Sequence, residues 1–230
     1  MAGSSGHRPH DVVVPDNSRS LSRSPELGES TLSCATPLDA AHLLLGAVIV
    51  AGPVRLRIVE VEAYGGDPAG PWPDPAAHSF PGPTGRNAVM FGPPGRLYVY
   101  LSHGLHHCMN VTCAPEGTAG AVLLRAAEVV EGGELVRERR GPSRPDRDLA
   151  RGPGNLGQAL GISLLDNGID LFASGSPVRV EAGPASAVAV GPRVGVTHAA
   201  DRPWRIWDPE SKVVSSYRRS PRAPAAPSTG

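Results

Sequence analysis

The sequence of 230 residues contains a single lysine, Lys212, among its 22 basic residues. A P-loop requires a lysine directly after its glycines, so the nucleotide-binding proteins that depend on this motif are excluded. Covalent catalysis through a Schiff base normally uses a lysine amine, and one lysine near the C-terminus argues against that chemistry. Arginine therefore supplies almost all of the positive charge.

Cysteines and long apolar runs are also scarce. The three cysteines, Cys34, Cys108 and Cys113, are an odd number without the spacing of a disulfide framework, which indicates reduced thiols in a cytosolic protein. No apolar run reaches the length of about 18 residues that a membrane span needs, so we expect none. The first residues lack an apolar signal-peptide region, so we expect no secretory signal and a cytoplasmic location.

The chain is electrically neutral overall, and its two ends differ in composition from the middle. Acidic and basic residues number 22 each, and the resulting net charge of zero does not by itself indicate a nucleic-acid-binding protein. Residues 1–30 are rich in Ser, Gly, Pro and Arg and are predicted to be a disordered tail, whereas residues 212–230 are predicted to be a loose C-terminal tail. No linker-like segment interrupts residues 31–211, so these residues are predicted to form one domain.

Short strands that follow one another dominate this domain. Residues 97–102 and 105–112 are predicted strands joined at His103-Gly104, which is a good hairpin signal. A short helix is predicted from Pro37, a favoured first helical residue, to a glycine at position 46. Because strands adjoin strands, we predict an α+β fold with an antiparallel sheet and not an alternating α/β fold.

The stretch from residue 58 to residue 64 is the most informative part of the sequence. Strand alternation places Ile58, Glu60, Glu62 and Tyr64 on one face. The intervening residues are all apolar and share the opposite face. Spacing alone favours a solvated surface for the two carboxylates, but the residues that follow supply further chemistry in a fixed order.

Several short segments carry that order. They are Val-Glu-Val-Glu-Ala-Tyr at 59–64, Asp-Pro-Ala-Ala-His-Ser at 74–79, Arg-Asn-Ala-Val-Met-Phe at 86–91, Pro-Gly-Arg-Leu-Tyr-Val-Tyr at 94–100, Cys-Met-Asn at 108–110, Val-Leu-Leu-Arg-Ala at 122–126, Gly-Pro-Gly-Asn-Leu at 152–156, Gln-Ala-Leu-Gly at 158–161 and Arg-Val-Gly-Val at 193–196. In this order the chain closely resembles the alkyladenine (3-methyladenine) DNA glycosylases. The likeness extends from residue 36 to residue 207.

The resemblance implies a DNA repair enzyme. We expect a monofunctional DNA glycosylase that flips alkylated purines, 3-methyladenine and related bases, out of duplex DNA and excises them by hydrolysis, leaving an abasic site. Glu62 matches the general base, and Arg125 matches the arginine that helps to orient the attacking water. The expected partner is double-stranded DNA that contains alkylated or deaminated purines, bound by a monomer without cofactor or metal.

The same resemblance assigns residues to the flipped base. Tyr64 and Tyr100 match the aromatic walls between which the base stacks, and stacking on an aromatic ring contributes about 1–3 kcal/mol per base. His78 matches the residue that contacts the edge of the base. Asn110 matches the residue that discriminates against the exocyclic amino group of normal guanine.

Contacts to the rest of the DNA are assigned with one departure from the family pattern. His103 stands at the hairpin tip where the family usually carries an intercalating tyrosine, and it is our candidate for DNA intercalation. Arg86 and Arg96 are candidates for contacts to the DNA backbone. The resulting fold prediction is a single α+β domain built on a curved, mainly antiparallel sheet, with flanking helices and a protruding β-hairpin.

Two alternatives remain open at this point. The histidine at the hairpin tip allows a non-catalytic protein of the same fold that binds damaged DNA. The cluster of His103, His106 and Cys108 allows a zinc-dependent hydrolase, because zinc is bound by three or four convergent nitrogen or sulfur ligands.

Overall fold

The computed structural model describes residues 26–225, and these residues form four α-helices and eight β-strands. In chain order they are α1 (Glu29–Cys34), α2 (Pro37–Leu44), β1 (Val48–Ala51), β2 (Val54–Tyr64), β3 (Leu97–Ser102), β4 (His106–Thr112), β5 (Ala121–Glu131), α3 (Gly133–Arg140), α4 (Pro153–Leu160), β6 (Val178–Glu181), β7 (Ala189–Gly191) and β8 (Arg205–Trp207). Among the described residues, no helix has the length and apolar character needed to cross a membrane.

The strands form one antiparallel sheet. Its order is β3-β4-β5-β2-β1-β6, and β8 pairs with both β2 and β7. The long strand β2 pairs with β5 along most of its length but changes its other neighbour, from β1 at residues 54–57 to β8 at residues 60–62. The prediction of a single α+β domain with a curved antiparallel sheet and flanking helices is confirmed.

A β-bulge interrupts the alternation of β2. Ile58 pairs with Ala127 and Glu60 pairs with Ala126, so Val59 is an extra residue on this strand. An extra residue shifts the side chains before it to the opposite face. Ile58 consequently packs in the main core with Val61, and the prediction that it shares a face with Glu60 is wrong.

The two faces of the sheet have different partners. The core face carries buried aliphatic side chains of β2, β3, β4 and β5, and these pack against apolar residues of α2 and α4 such as Leu44 and Leu156. The opposite face carries Glu60, Glu62 and Asn110, all of which are buried under loops. Burial of polar groups requires hydrogen-bonding partners, so the loops over this face must supply them.

Local sequence signals fix the boundaries of α2. The side chain of Thr36 accepts a hydrogen bond from the Asp39 N–H, and the Asp39 carboxylate accepts one from the Thr36 N–H. This reciprocal arrangement satisfies two of the free donors at the helix start, and Pro37 follows as the first helical residue, as predicted. After the helix, Gly46 has φ +85°, and a Cβ atom there would lie 2.4 Å from the Pro184 carbonyl oxygen.

The chain outside the predicted domain differs between its two ends. Residues 1–25 and 226–230, which belong to the two predicted tails, lie outside the described residues. The segment predicted to be loose from residue 212 makes specific contacts in its first part, where Val213 packs on Val59 and Ala126. Ser215 also donates a hydrogen bond to Glu60, which ties this segment to the polar face of the sheet.

Candidate active site

Glu62 lies near the end of β2 and is completely buried. Its Oε2 accepts hydrogen bonds from the Tyr64 hydroxyl at 2.8 Å and from Arg125 Nη1 at 3.1 Å. Its Oε1 accepts a hydrogen bond from the Val194 N–H at 2.6 Å. The carboxylate is therefore held in a fixed orientation by two strands of the sheet and one loop.

Arg125 projects from β5 between two carboxylates. Its Nε donates to Glu60 Oε1 at 3.0 Å, while its Nη1 donates to Glu62. Burial acts to lower the pKa of the Arg125 guanidinium, but the charges of Glu62 and Glu60 outweigh this effect and raise the pKa. The guanidinium is therefore a permanent cation beside Glu62.

Glu60 joins a second arginine to the cluster. Arg205 Nε donates to Glu60 Oε1 at 2.7 Å, and Ser215 donates to both oxygens of the same carboxylate. Burial acts to raise the pKa of Glu60, but the charges of Arg125 and Arg205 and the donors of Ser215 hold it below its usual value. Two anions and two cations thus balance one another in a buried site, as an ionic cluster away from water requires.

A cavity of about 340 Å³ opens beside this charge cluster. This volume falls within the range of about 300–1,000 Å³ that is usual for small-ligand sites. The cavity is lined by Tyr64, Pro75, Ala76, His78, Met90, Tyr98, Tyr100, Asn110, Gly195, Val196, Thr197 and His198. It therefore brings together all four residues predicted to contact the base, and Tyr64 connects it to Glu62 through the hydrogen bond described above.

Aromatic rings form a packed wall of the cavity. The ring of Tyr100 stacks on that of Tyr98 with centroids 5.9 Å apart, and the ring of His78 meets Tyr100 edge-on at 4.6 Å. His78 Nδ1 is hydrogen-bonded to the Tyr98 hydroxyl at 3.1 Å. Burial raises the pKa of the Tyr100 hydroxyl, so this ring is a neutral phenol at physiological pH.

His78 and Asn110 are held by backbone contacts. Asn87 Nδ2 donates to the His78 carbonyl oxygen at 2.9 Å, and Asn110 Nδ2 donates to the Tyr98 carbonyl oxygen at 3.2 Å. Desolvation of the His78 ring lowers its pKa, and the charge of Arg86 acts in the same direction. A neutral imidazole can accept a hydrogen bond on one nitrogen and donate from the other, which suits recognition of a base edge.

Arg193 is a residue of this site to which sequence reasoning assigned no role. It is buried, and its guanidinium carbon lies 4.6 Å from the centroid of the Tyr64 ring. Its two terminal nitrogens donate to the Asp74 carboxylate at 2.5 and 2.9 Å. Both residues belong to segments that carry the family likeness, but a pairing across 119 positions has no signal in a single sequence.

A comparison with known protein families identifies the family of this chain. The model of a family described as methylpurine-DNA glycosylase matches residues 31–212. The chain belongs to the methylpurine-DNA glycosylase family. The resemblance deduced from the sequence is confirmed.

Individual relatives of this chain are also named as DNA glycosylases. A protein of Nocardia farcinica (strain IFM 10152), named "Putative 3-methyladenine DNA glycosylase", is 63% identical over 193 residues, which cover 83% of this chain and 91% of the relative. Proteins of the same name from Mycobacterium leprae (strain Br4923) and Rhodococcus jostii (strain RHA1) are 61% identical over 189 residues and 59% identical over 192 residues. The match to the Mycobacterium leprae protein covers 82% of this chain and 88% of the relative. The match to the Rhodococcus jostii protein covers 84% of this chain and 86% of the relative.

The remaining predicted site residues of this glycosylase family member lie outside the cavity. His103 is exposed in the turn between β3 and β4 and has φ +51°. Arg86 is also exposed, close enough to Tyr98 and His78 to affect their pKa values. Arg96 is half-buried and forms an ion pair with Asp170. The structure therefore gathers the catalytic and base-binding candidates and leaves these three at other positions.

The zinc-hydrolase alternative lacks a matching geometry. In residues 26–225, no three His, Cys, Asp or Glu side chains are placed so that they could hold a metal ion together. Of the proposed ligands, Cys108 is buried and pairs with Tyr100 between β3 and β4, whereas His106 is exposed. Nothing in the described residues favours that alternative over the family assignment.

Proposed function

We propose that this protein releases alkylated purines, 3-methyladenine and related bases, from duplex DNA by hydrolysis of the N-glycosidic bond. The observation that carries the proposal is the buried pair of Glu62 and Arg125 next to a cavity with aromatic walls. A damaged base must leave the duplex stack before its glycosidic bond can be reached, and such a cavity can accept it.

The proposed reaction is a displacement by water. Glu62 accepts a proton from a water molecule whose oxygen forms a bond to the sugar C1′ atom, and the bond from C1′ to the base nitrogen breaks. The electron pair of that bond stays with the base. A purine alkylated on a ring nitrogen is cationic and therefore leaves as a neutral molecule. General-base assistance of this kind contributes a factor of about 10²–10⁴.

The proposed base site uses the faces and edges of the cavity. Tyr64 and Tyr100 stack on the flipped base, and their ring faces favour a cationic purine over a neutral one. His78 contacts the edge of the base, and Asn110 acts against the exocyclic amino group of guanine. The four lesions that test this site are 3-methyladenine, 7-methylguanine, hypoxanthine and ethenoadenine.

Three further residues are proposed to contact the DNA around the flipped base. His103 inserts into the space that the flipped nucleotide leaves, and Arg86 and Arg96 contact the DNA backbone. Such backbone contacts fix the position of a protein on the duplex without reading its sequence. The protein acts as a monomer without a cofactor, and its cytoplasmic location stays a prediction.

The position of the one lysine amine supports monofunctional chemistry. Lys212, the only lysine, is exposed and is not among the residues that line the cavity. Schiff-base formation with the sugar would need such an amine at the reaction centre. The product is therefore proposed to be an uncleaved strand with an abasic site.

Base release from four duplexes tests the proposal. Each duplex carries one of the four lesions named above, and the released base and strand integrity are measured with the purified full chain. We expect release of at least one alkylated purine with the strand intact. Tight binding to a lesion duplex without release of any base would favour the non-catalytic alternative. A borohydride-trapped adduct that disappears in Lys212→Ala would contradict the monofunctional assignment.

A further inference from the structure

Ser215 lies outside the sheet but makes three hydrogen bonds to Glu60 and Arg125 of the buried charge cluster. Its backbone N–H donates to Glu60 Oε2 at 2.7 Å, and its hydroxyl donates to Glu60 Oε1 at 2.7 Å. Arg125 Nη2 donates to the oxygen of the same hydroxyl at 3.3 Å. Ser215 therefore contacts both of the groups that stand between it and Glu62.

These contacts complete a three-point attachment of Arg125. Its Nε is bound to Glu60, its Nη1 to Glu62 and its Nη2 to Ser215. A planar guanidinium held by three separate acceptors cannot turn without breaking at least one hydrogen bond. The direction in which Arg125 presents its Nη1 to Glu62 consequently depends on the two other acceptors.

The backbone around Ser215 is itself fixed. Arg205 Nη2 donates to the Ser215 carbonyl oxygen at 2.7 Å. Val213 is buried against Val59, the extra residue of the β2 bulge. An apolar contact and a charge-assisted hydrogen bond on either side of the serine thus determine where its hydroxyl lies.

We propose that Ser215 is a positioning residue for base release, acting through Glu60 and Arg125 on the carboxylate of Glu62. This inference rests on the function proposed above. It assigns a catalytic contribution to a segment that lies beyond the sheet and that its composition predicts to be loose. The neighbouring Ser216 provides a matched control, because it is exposed and its hydroxyl accepts a hydrogen bond from Arg151 at 3.2 Å, away from the cluster.

The test compares the full chain with Ser215→Ala, Ser215→Thr and Ser216→Ala. Single-turnover release of 3-methyladenine from methylated duplex DNA is measured for each, together with affinity for a duplex that carries one abasic-site analogue. We expect Ser215→Ala to release base about 10-fold more slowly, since misplacement of a catalytic group by about 1 Å can cost up to about 100-fold. Ser215→Thr, which keeps the hydroxyl, should restore most of the rate, and Ser216→Ala should match the parent.

Affinity and stability separate positioning from simple support of the fold. We expect Ser215→Ala to bind the abasic duplex as the parent does, because its loss is confined to the chemical step. A parental release rate in Ser215→Ala would overturn the inference, and so would a rate loss that only follows the fraction of unfolded protein. A parent that releases no base would instead overturn the proposed function, and this inference with it.

Discussion

Glu60 and Glu62 are neighbours on one strand face, but their hydrogen-bonding capacity is used differently. A carboxylate has about four acceptor positions on its two oxygens. Among the described residues, Glu60 receives four donors: Arg125 Nε, Arg205 Nε, and the N–H and hydroxyl of Ser215. Glu62 receives three, of which only the Val194 N–H reaches Oε1. Oε1 of Glu62 therefore keeps an acceptor position for a water molecule, whereas three of the four donors to Glu60 converge on its Oε1.

The first prediction concerns this spare position. Glu62→Gln keeps the size of the side chain but removes the charge that accepts a proton, so single-turnover base release should fall at least about 100-fold. Binding to a lesion duplex should be retained, because the aromatic walls are unchanged. Glu116→Gln, an exposed glutamate distant in the chain, serves as the control. Near-normal release by Glu62→Gln would remove this residue from the mechanism.

Tyr64 shows how much a single residue could and could not be predicted. The role proposed for it, as a wall of the base site, came from the resemblance. Its hydroxyl contact with Glu62 and the arginine against its ring did not, because Arg193 is distant in the sequence. Side-chain partners that come from separate loops depend on the tertiary fold and leave no local periodicity.

The second prediction compares the two arginines that face Asp74. Arg193 and Asp74 are both fully buried, and removing one partner of a buried pair costs about 3–5 kcal/mol. Arg202 approaches the same carboxylate at 3.9 Å but is partly exposed, and surface pairs contribute about 0–1 kcal/mol. Urea unfolding of Arg193→Met and Arg202→Met should show this difference. Equal losses of unfolding free energy would show that burial of the pair is not the deciding factor.

At the scale of elements, β3 and β4 carry Tyr98, Tyr100 and Asn110, which line the cavity. They pair antiparallel from Leu97 with Val111 to Ser102 with His106, joined by a three-residue turn. Helix α4 supports β4 so closely that a Cβ atom on Gly157 would lie 2.0 Å from the His107 carbonyl oxygen. The pairing agrees with the predicted strands, while the protrusion of this hairpin towards DNA stays a prediction.

The third prediction concerns the turn between β3 and β4. His103→Ala should weaken binding to a lesion duplex, since an inserted side chain must offset an unstacking cost of a few kcal/mol. His103→Tyr should tighten binding, because a phenol ring offers more stacking area than imidazole. Leu105, exposed in the same turn, is replaced by alanine as the comparison. If His103→Ala binds as the parent does and Leu105→Ala does not, the leucine is the inserted residue.

The positions of most strands could be predicted from the sequence, but the β-bulge and the end of β5 could not. Period-two alternation located β2, β3 and β4 because apolar residues mark the core face. The bulge at Val59 has no Gly or Pro to mark it, so the faces were assigned wrongly before it. Strand β5 extends to Glu131 before helix α3 begins at Gly133, because pairing with β2 outweighs local helix propensity.

At the scale of the whole molecule, one curved sheet separates two kinds of interior. One face forms an aliphatic core with the helices. The other holds two buried ionic systems, Glu60 with two arginines and Asp74 with Arg193, each closed by a segment from the C-terminal third of the chain. Composition could not reveal the second interior, because Arg193, Arg205 and Val213 become buried only when the segment from residue 191 to residue 217 folds over the sheet. Because both ionic systems need ionised carboxylates, the stability of the fold depends on the ionisation of Glu60 and Asp74.

The last prediction follows from these carboxylates. The pKa of Glu60 is held below its ordinary value of 4.5 and that of Asp74 below its ordinary value of 3.8, in both cases by arginine partners that outweigh burial. In acid the unfolded chain therefore binds more protons than the folded chain, so the free energy of unfolding rises with pH there.

The stabilisation is fully present above the unfolded pKa values and is lost as pH falls through the lowered folded values. Urea unfolding between pH 3 and pH 7, a window of about four pH units around these transitions, should show this loss. Asp74→Asn should be less stable at pH 7 and show a shallower acid slope, since it lacks one of the two groups. Asp146→Asn, in an exposed pair with Arg137, should keep the slope of the parent. A parent whose stability increases on acidification would contradict the assignment of these two carboxylates.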